Sequence, residues 1–140
     1  MSEMVVIHQK SNFEINFQAS DPENPESEEL HEVTSIFAMT PYTMLLASLG
    51  ACTTIVLHTY AQHHGIDLQS VEAIVEYERD FKEDCKNCDQ IERYEEHIKE
   101  SVTFKGDFSA DEKKRLDQIA KRCSIHKILE DGIKIVHPTD

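Results

Sequence analysis

Positive charge is what this sequence has least of. Of its 140 residues only 14 are Lys or Arg against 27 Asp or Glu, a formal net charge of −13. So acidic a chain repels phosphate backbones and anionic lipid at long range, which argues against nucleic acid and against a membrane surface as partners. No Arg occurs before Arg79. Apolar residues are also scarce for a globular balance, 39% with 29% charged, so part of the burial is expected to come from a second subunit. The length suits one domain, residues 1–140. The start Met1-Ser2-Glu3-Met4 has neither a basic n-region nor an apolar h-region, which points to a reducing cytosol and makes the cysteines free thiols to be explained by chemistry or packing. There is no internal repeat and no low-complexity segment.

Charge is missing altogether from Val33 through Ile66, a run long enough to raise the question of a membrane span. It is interrupted by Thr34, Ser35, Thr40, Pro41, Thr43, Ser48, Thr53, Thr54 and His58 and lacks flanking Lys or Arg, so a helix buried inside protein fits better. Thr40-Pro41 supplies an N-cap hydroxyl and a preset φ, and the helix is expected to run to about His64, where Gly65 offers the left-handed residue that ends helices. Met44, Leu45, Leu46, Leu49, Cys52, Ile55, Val56 and Tyr60 cover more than one stripe of it. A central helix, covered by a sheet on one side and a second subunit on the other, is the expectation.

Around that helix the sequence reads as strands. Phe13, Ile15 and Phe17 alternate with Glu14 and Asn16, giving a strand over Asn12–Gln18 with Met4–Ile7 as its hairpin partner across Gln9–Ser11. Half the residues from Asp21 to Glu32 are acidic and two are prolines, so that segment reads as an acidic loop. Val71–Phe81 alternates as a half-exposed strand, and Ile98, Val102 and Phe104 repeat the period opposite Lys99, Ser101, Thr103 and Lys105, which predicts an antiparallel pair closed by Lys82–Tyr94. Ser109-Ala110-Asp111-Glu112 is a capping box that opens a second helix, on which Leu116, Ile119, Ala120 and Cys123 share the core-facing stripe. A short helical piece, Ile125–Leu129, is expected to turn at Asp131-Gly132 into a last strand, Ile133–Val136.

Two inward thiols, Cys52 and Cys123, therefore sit on two core helices and can meet. Either they are small core hydrophobes, or they carry chemistry, in which case burial must be opposed by a cation, a hydrogen-bond donor or a helix N-terminus near the attacking sulfur. The other two, in Cys85-Lys86-Asn87-Cys88, lie among Glu83, Asp84 and Asp89. They read as incidental thiols, as half of a zinc site with His97 or a dimer-related pair completing it, or as a redox dithiol, for which the acidic neighbours are unfavourable.

Thr40-Pro41-Tyr42-Thr43-Met44-Leu45-Leu46-Ala47-Ser48-Leu49-Gly50-Ala51-Cys52 resembles the first cysteine motif of the OsmC/Ohr family, with the proline eleven positions before the cysteine, and Cys123-Ser124-Ile125-His126-Lys127-Ile128-Leu129 resembles the second. The likeness covers the whole chain in element order. It implies an α+β, OsmC-like fold: antiparallel sheets wrapped around long central helices in an intertwined homodimer, with active sites at the subunit interface. The activity it implies is reduction of organic hydroperoxides. Cys52 attacks as the peroxidatic thiolate and becomes a sulfenic acid, Cys123 condenses with it to a disulfide, and an external dithiol restores both, with no metal or organic cofactor.

The chain departs from the family at one place. A Glu one or two residues after the proline pairs in typical members with an Arg from the N-terminal sheet region; here Tyr42 and Thr43 stand there, and Arg79, Arg93, Arg115 and Arg122 are the available guanidiniums. His31, His58 and His126 are the other candidate donors. The departure keeps a second reading open, a catalytically weak or inactive OsmC-fold protein that binds a ligand or senses oxidants through its thiols. If the surroundings of Leu46, Leu49 and Ile125 form an apolar pocket, bulky organic peroxides are expected to be preferred over hydrogen peroxide.

Overall fold

A computed structural model describes residues 2–11, 14–24, 26–35, 38–81 and 94–139 of the chain. Strands β1 (Ser2–Ser11) and β2 (Glu14–Ser20) form the expected hairpin, with Ile7 opposite Phe17. β1 runs on through Gln9–Ser11, where a turn was predicted, and the register slips there instead. Residues 21–29 connect β2 to a third strand. Leu30–Glu32, predicted as the end of the acidic loop, is β3, paired with Gln18–Ser20. Three residues at a sheet edge need only backbone hydrogen bonds, so their composition gives no warning.

After the central helix come β4 (Asp67–Phe81) and β5 (Tyr94–Asp107), antiparallel along their lengths with Val75 opposite Glu100. Both outrun the predicted spans because pairing continues into polar residues where alternation is no longer legible. The connection holding Cys85 and Cys88 lies outside the described residues. The sheet order is β3-β2-β1-β4-β5, with every neighbour antiparallel.

Helix α1 (Pro41–His63) follows the sequence signals closely. The Thr40 hydroxyl accepts the Thr43 amide at 3.1 Å while Thr43 Oγ1 accepts the Thr40 amide at 2.9 Å, a reciprocal cap in which threonine replaces the usual Glu. Gly65 closes the other end at φ +64°. By length and composition α1 is apolar enough to cross a bilayer, with mean hydropathy 1.4, yet it lies across β1 and β4 with Leu46, Gly50, Thr54, Leu57 and Ala61 buried. Gly50 permits that approach: a Cβ there would stand 2.2 Å from Ile7 Cδ1 and 3.2 Å from Val75 Cγ2. The opposite side of α1 is only partly covered, leaving Tyr42, Leu45 and Ile55 exposed.

Helix α2 (Ala110–Ile119) carries the predicted Ser109/Glu112 capping box and buries Leu116. It ends sooner than expected. Amides of Lys121 and Arg122 fold back on Gln118 O and Ile119 O, and Cys123, predicted on the inner stripe of this helix, is instead the extended N-cap of α3 (Ser124–Asp131), at φ −73° and ψ 150°. The thiol is inward, but it stands at the start of a helix rather than along one. The predicted strand Ile133–Val136 pairs with no strand among the described residues, and Ile133, Ile135 and Val136 are 66%, 77% and 66% exposed. Apolar alternation marks a strand wherever its partner edge comes from, and the described residues of one chain give this tail none.

Candidate active site

A helix starts with amides that no carbonyl of its own can reach, and together with the aligned peptide dipoles they favour negative charge. At α3 the first three bear on the two thiols. The amides of Ile125 and Ser124 lower the pKa of Cys52, and that of His126 donates to Cys123 Sγ at 3.2 Å. The Cys52 sulfur is also 3.8 Å from Ser124 Oγ and receives the Cys123 thiol as a donor.

These contacts separate the two thiols. Burial pushes Cys52 up, but the Ile125 amide, the Cys123 thiol and the hydroxyl and amide of Ser124 outweigh it, so Cys52 is held below its ordinary value. Burial also pushes Cys123 up; the His126 amide opposes it, the neighbouring Cys52 adds to it, and the net displacement is upward. Cys52 is half-exposed and Cys123 is 1% exposed. The thiol that ionises more readily is thus the accessible one, which is the arrangement an attacking cysteine needs.

The donor that the sequence left open is therefore a helix N-terminus. None of the groups that act most strongly on Cys52 is an Arg or a His. Arg79 lies on β4, Arg115 on the exposed side of α2, and Arg122 beside Ile55 and Tyr60 at a separate depression; Arg93 lies outside the described residues. His58 and His31 bond backbone carbonyls, Gln9 O at 3.2 Å and Ala38 O at 3.1 Å, and His126 Nε2 lies 3.5 Å from Glu130. At the family's glutamate position Tyr42 stacks on Tyr77 with ring centroids 4.7 Å apart, and the Tyr77 hydroxyl donates to Glu96 at 2.7 Å.

Two residues that the sequence did not single out complete the site. Thr53, buried on α1, donates to Glu100 Oε2 at 2.9 Å and lies 3.8 Å from Cys123 Sγ. Glu100 had a legible signal: it occupies the apolar register of β5, between Ile98 and Val102, where a carboxylate has no packing reason to be. Burial raises its carboxyl above the ordinary range, against the downward effects of the Thr53 hydroxyl and of His126.

Glu100 opens onto a cleft of about 1050 Å³ between α1, β5 and α3. Leu45, Leu49, Ile98 and Leu129 give it apolar walls, and Glu96, His97, Asp117 and Glu130 give it polar ones. Neither sulfur lines it. The expected pocket is only partly formed, because Leu46 is turned into the core beneath the helix while Leu49 faces the cleft. His97, one suggested zinc ligand, bonds Glu78 at 2.7 Å, and no cluster of metal-ligating side chains occurs among the described residues.

Comparison with known proteins agrees with this architecture. A family model described as OsmC-like protein matches residues 31–137. Among solved structures, the chain is similar to an OsmC-like hydroperoxide resistance protein from Jannaschia sp. CCS1, with TM-score 0.62, 16% identity, and 99% of this chain and 92% of that one covered. At that identity the likeness is one of fold. No curated protein sequence matches the chain.

Proposed function

The chain belongs to the OsmC-like protein family, and from that premise we propose that it is a thiol-dependent peroxidase reducing organic hydroperoxides through Cys52 and Cys123. The observation that carries the reading is the convergence of both sulfurs on the first turn of α3, with the accessible one favoured as thiolate. Cys52 thiolate attacks the distal peroxide oxygen. The O–O bond breaks, its electron pair leaves on the alkoxide, which takes a proton to become the alcohol, and Cys52 is left as a sulfenic acid. Cys123 then attacks that sulfur and the hydroxyl leaves as water, giving a Cys52–Cys123 disulfide. An external dithiol, as a reducing cytosol provides, reopens it.

A homodimer belongs to the same reading. Cys52 lies seven residues after Leu45 and three before Ile55 on the partly covered side of α1, so a second copy laid on that side would wall the site. No metal or organic cofactor is required, and neither nucleic acid nor membrane enters. Cys85 and Cys88 are taken as incidental, so their joint replacement by serine leaves activity within a small factor.

The test is the order of events. Cys52→Ser abolishes hydroperoxide consumption and leaves no sulfenic acid to trap, because a serine hydroxyl without a base is a poor nucleophile. Cys123→Ser permits one stoichiometric turnover, leaves Cys52 trappable by a dimedone-type reagent, and over-oxidises as peroxide is added. Peptide mapping of the oxidised parent gives the Cys52–Cys123 disulfide.

One observation favours a second reading. The groups that act most strongly on Cys52 are dipoles and a thiol rather than a cation, which suits a slow or non-turning-over sensor or ligand-binding protein. If both single variants consume peroxide as the parent does, or the parent's two thiols stay reduced under excess hydroperoxide, this second reading replaces the first.

A further inference from the structure

The two-thiol cycle needs a route for one proton, from the Cys123 thiol to the water that the condensation yields. Cys123 must lose its thiol proton as it attacks, yet it is 1% exposed and solvent does not reach it directly. A path leads away from it through α1 to β5. Thr53 Oγ1 stands 3.8 Å from Cys123 Sγ and 2.9 Å from Glu100 Oε2, and Glu100 in turn borders the cleft. A hydroxyl is the right group in the middle, since it accepts one proton while it donates another.

We propose that Glu100, acting through the Thr53 hydroxyl, takes up the Cys123 thiol proton during disulfide formation and passes it to the water of the cleft. The inference rests on the resolving role assigned to Cys123. In the resting site the one Thr53 hydroxyl hydrogen is within reach of three acceptors, Leu49 O at 3.1 Å, Glu100 Oε2 at 2.9 Å and Cys123 Sγ at 3.8 Å; for transfer it occupies the shortest of these, to the Glu100 carboxylate, and a lone pair of the oxygen turns to the thiol. After transfer the hydrogen that came from Cys123 sits on Thr53, its former hydrogen sits on Glu100, and Cys123 is a thiolate. That thiolate forms the S–S bond with Cys52 as the C52 S–O bond breaks, and the departing hydroxide and the proton released from Glu100 make up the one water that the condensation yields. No outside oxidant or reductant enters the step.

The surroundings of Glu100 suit a proton acceptor. Its carboxyl is raised first by burial, which moves an ordinary glutamate toward the working range of a base near neutrality. The titratable groups around the cleft are His126 and Glu130 from α3, Asp117 and Lys121 at the end of α2, Glu96 and His97 from β5, Tyr42 from α1 and Tyr77 from β4. Of these His126 acts on Glu100 directly, and it acts downward. Glu100 reaches the reacting sulfur only through Thr53 and is a positioning residue in that sense, whereas Thr53 touches the sulfur itself.

A thiol–disulfide exchange tests the step without any peroxide. In a Cys85→Ser/Cys88→Ser background, Ellman's reagent caps Cys52 as its thionitrobenzoate mixed disulfide, and attack by Cys123 then expels a second coloured thionitrobenzoate. With Glu100→Gln the second release is expected to slow by about tenfold or more near neutral pH, and the gap to close in alkali, where hydroxide deprotonates the thiol unaided. Glu100→Asp restores part of the rate; Thr53→Val reproduces the loss and Thr53→Ser does not. The proposal is overturned if Glu100→Gln follows the parental pH profile, if the gap persists unchanged into alkali, or if first and second releases slow equally. Hydroperoxide consumption by the same proteins reports separately on the peroxidase reading, so failure of one is told apart from failure of the other.

Discussion

The backbone amide of Ile125 on α3 lowers the pKa of the Cys52 thiol on α1, although the two lie 73 positions apart in the chain. That relationship makes the two thiols, one half-exposed and one buried, an unequal pair. It depends on α2 stopping at Ile119, since a helix continued through Cys123 would have no free amides to offer at that point.

Ser124 isolates the contribution of the helix start. Proline is accommodated at the first helical position, and Cys123, at ψ 150°, already has the extended conformation that a following proline requires. Ser124→Pro therefore keeps α3 while deleting one amide and one hydroxyl from Cys52; Ser124→Ala deletes the hydroxyl alone. The pH midpoint of Cys52 alkylation, followed by mass spectrometry, is expected to lie below the ordinary 9.0 in the parent. It should rise further in Ser124→Pro than in Ser124→Ala, since only the proline variant also removes the amide. Equal midpoints in the two variants would remove the amide from the account.

How much of this the sequence disclosed varies with how local the cause is. The α1 boundaries, the Gly65 terminus and the Ser109/Glu112 cap depend on neighbours three or four residues away and were legible. Pairing of β3 depends on backbone alone and was not. The end of α2 was hidden because Leu116, Ile119, Ala120 and Cys123 keep helical spacing even though the chain leaves the helix between them. Cys52 and Cys123 were legible as a pair, but the leading group that lowers Cys52 is a backbone amide, which carries no residue signature. Glu100 was visible as a charge in an apolar register, and its significance appears only once Thr53 faces it.

Gly50 tests how closely α1 sits on the sheet. Alanine favours a helix over glycine by about 1 kcal/mol, whereas overpacking a core costs about 1–3 kcal/mol. Ile7, which the new methyl would meet, is fully buried against Val75, so the second effect is expected to win. Gly50→Ala should lower Tm by about 3–6 °C. Adding Ile7→Val removes the methyl in the way, so the double variant is expected to lose less than the two single losses added together. Strict additivity would mean that the helix simply shifts.

The raised carboxyl of Glu100 has a sign that calorimetry can read. Below the ordinary glutamate value of 4.5 it is protonated both folded and unfolded. Between 4.5 and its higher folded value the folded state holds the extra proton, so its contribution to stability is present in acid and lost as pH rises through that window. Glu100→Gln keeps an acceptor for Thr53 without the titration. The Tm difference between variant and parent should therefore move in the variant's favour from acid to neutral pH; a difference independent of pH would mean that burial does not raise this carboxyl.

The apolar groups left uncovered by one chain give the dimer its test. Leu45 and Ile55 are 42% and 44% exposed on the same side of α1 as Cys52, and the tail beyond α3 presents Ile133, Ile135 and Val136 with no strand beside them among the described residues. A symmetric pair would cover α1 with α1 while giving each tail a foreign edge. Sedimentation should accordingly report about twice 16.1 kDa. Leu45→Glu places a charge in the seam and is expected to shift the protein toward monomer. Its Tm should then depend on concentration, because the folded chain is stabilised by mass action with its partner. Deleting residues 133–139 tests the tail separately: if it crosses to the partner, the shortened chain dissociates at concentrations where the parent does not. A parent that sediments as a folded monomer at micromolar concentration would remove the interface and leave Cys52 on an open surface, where a slow, sensor-like thiol is the reading that survives.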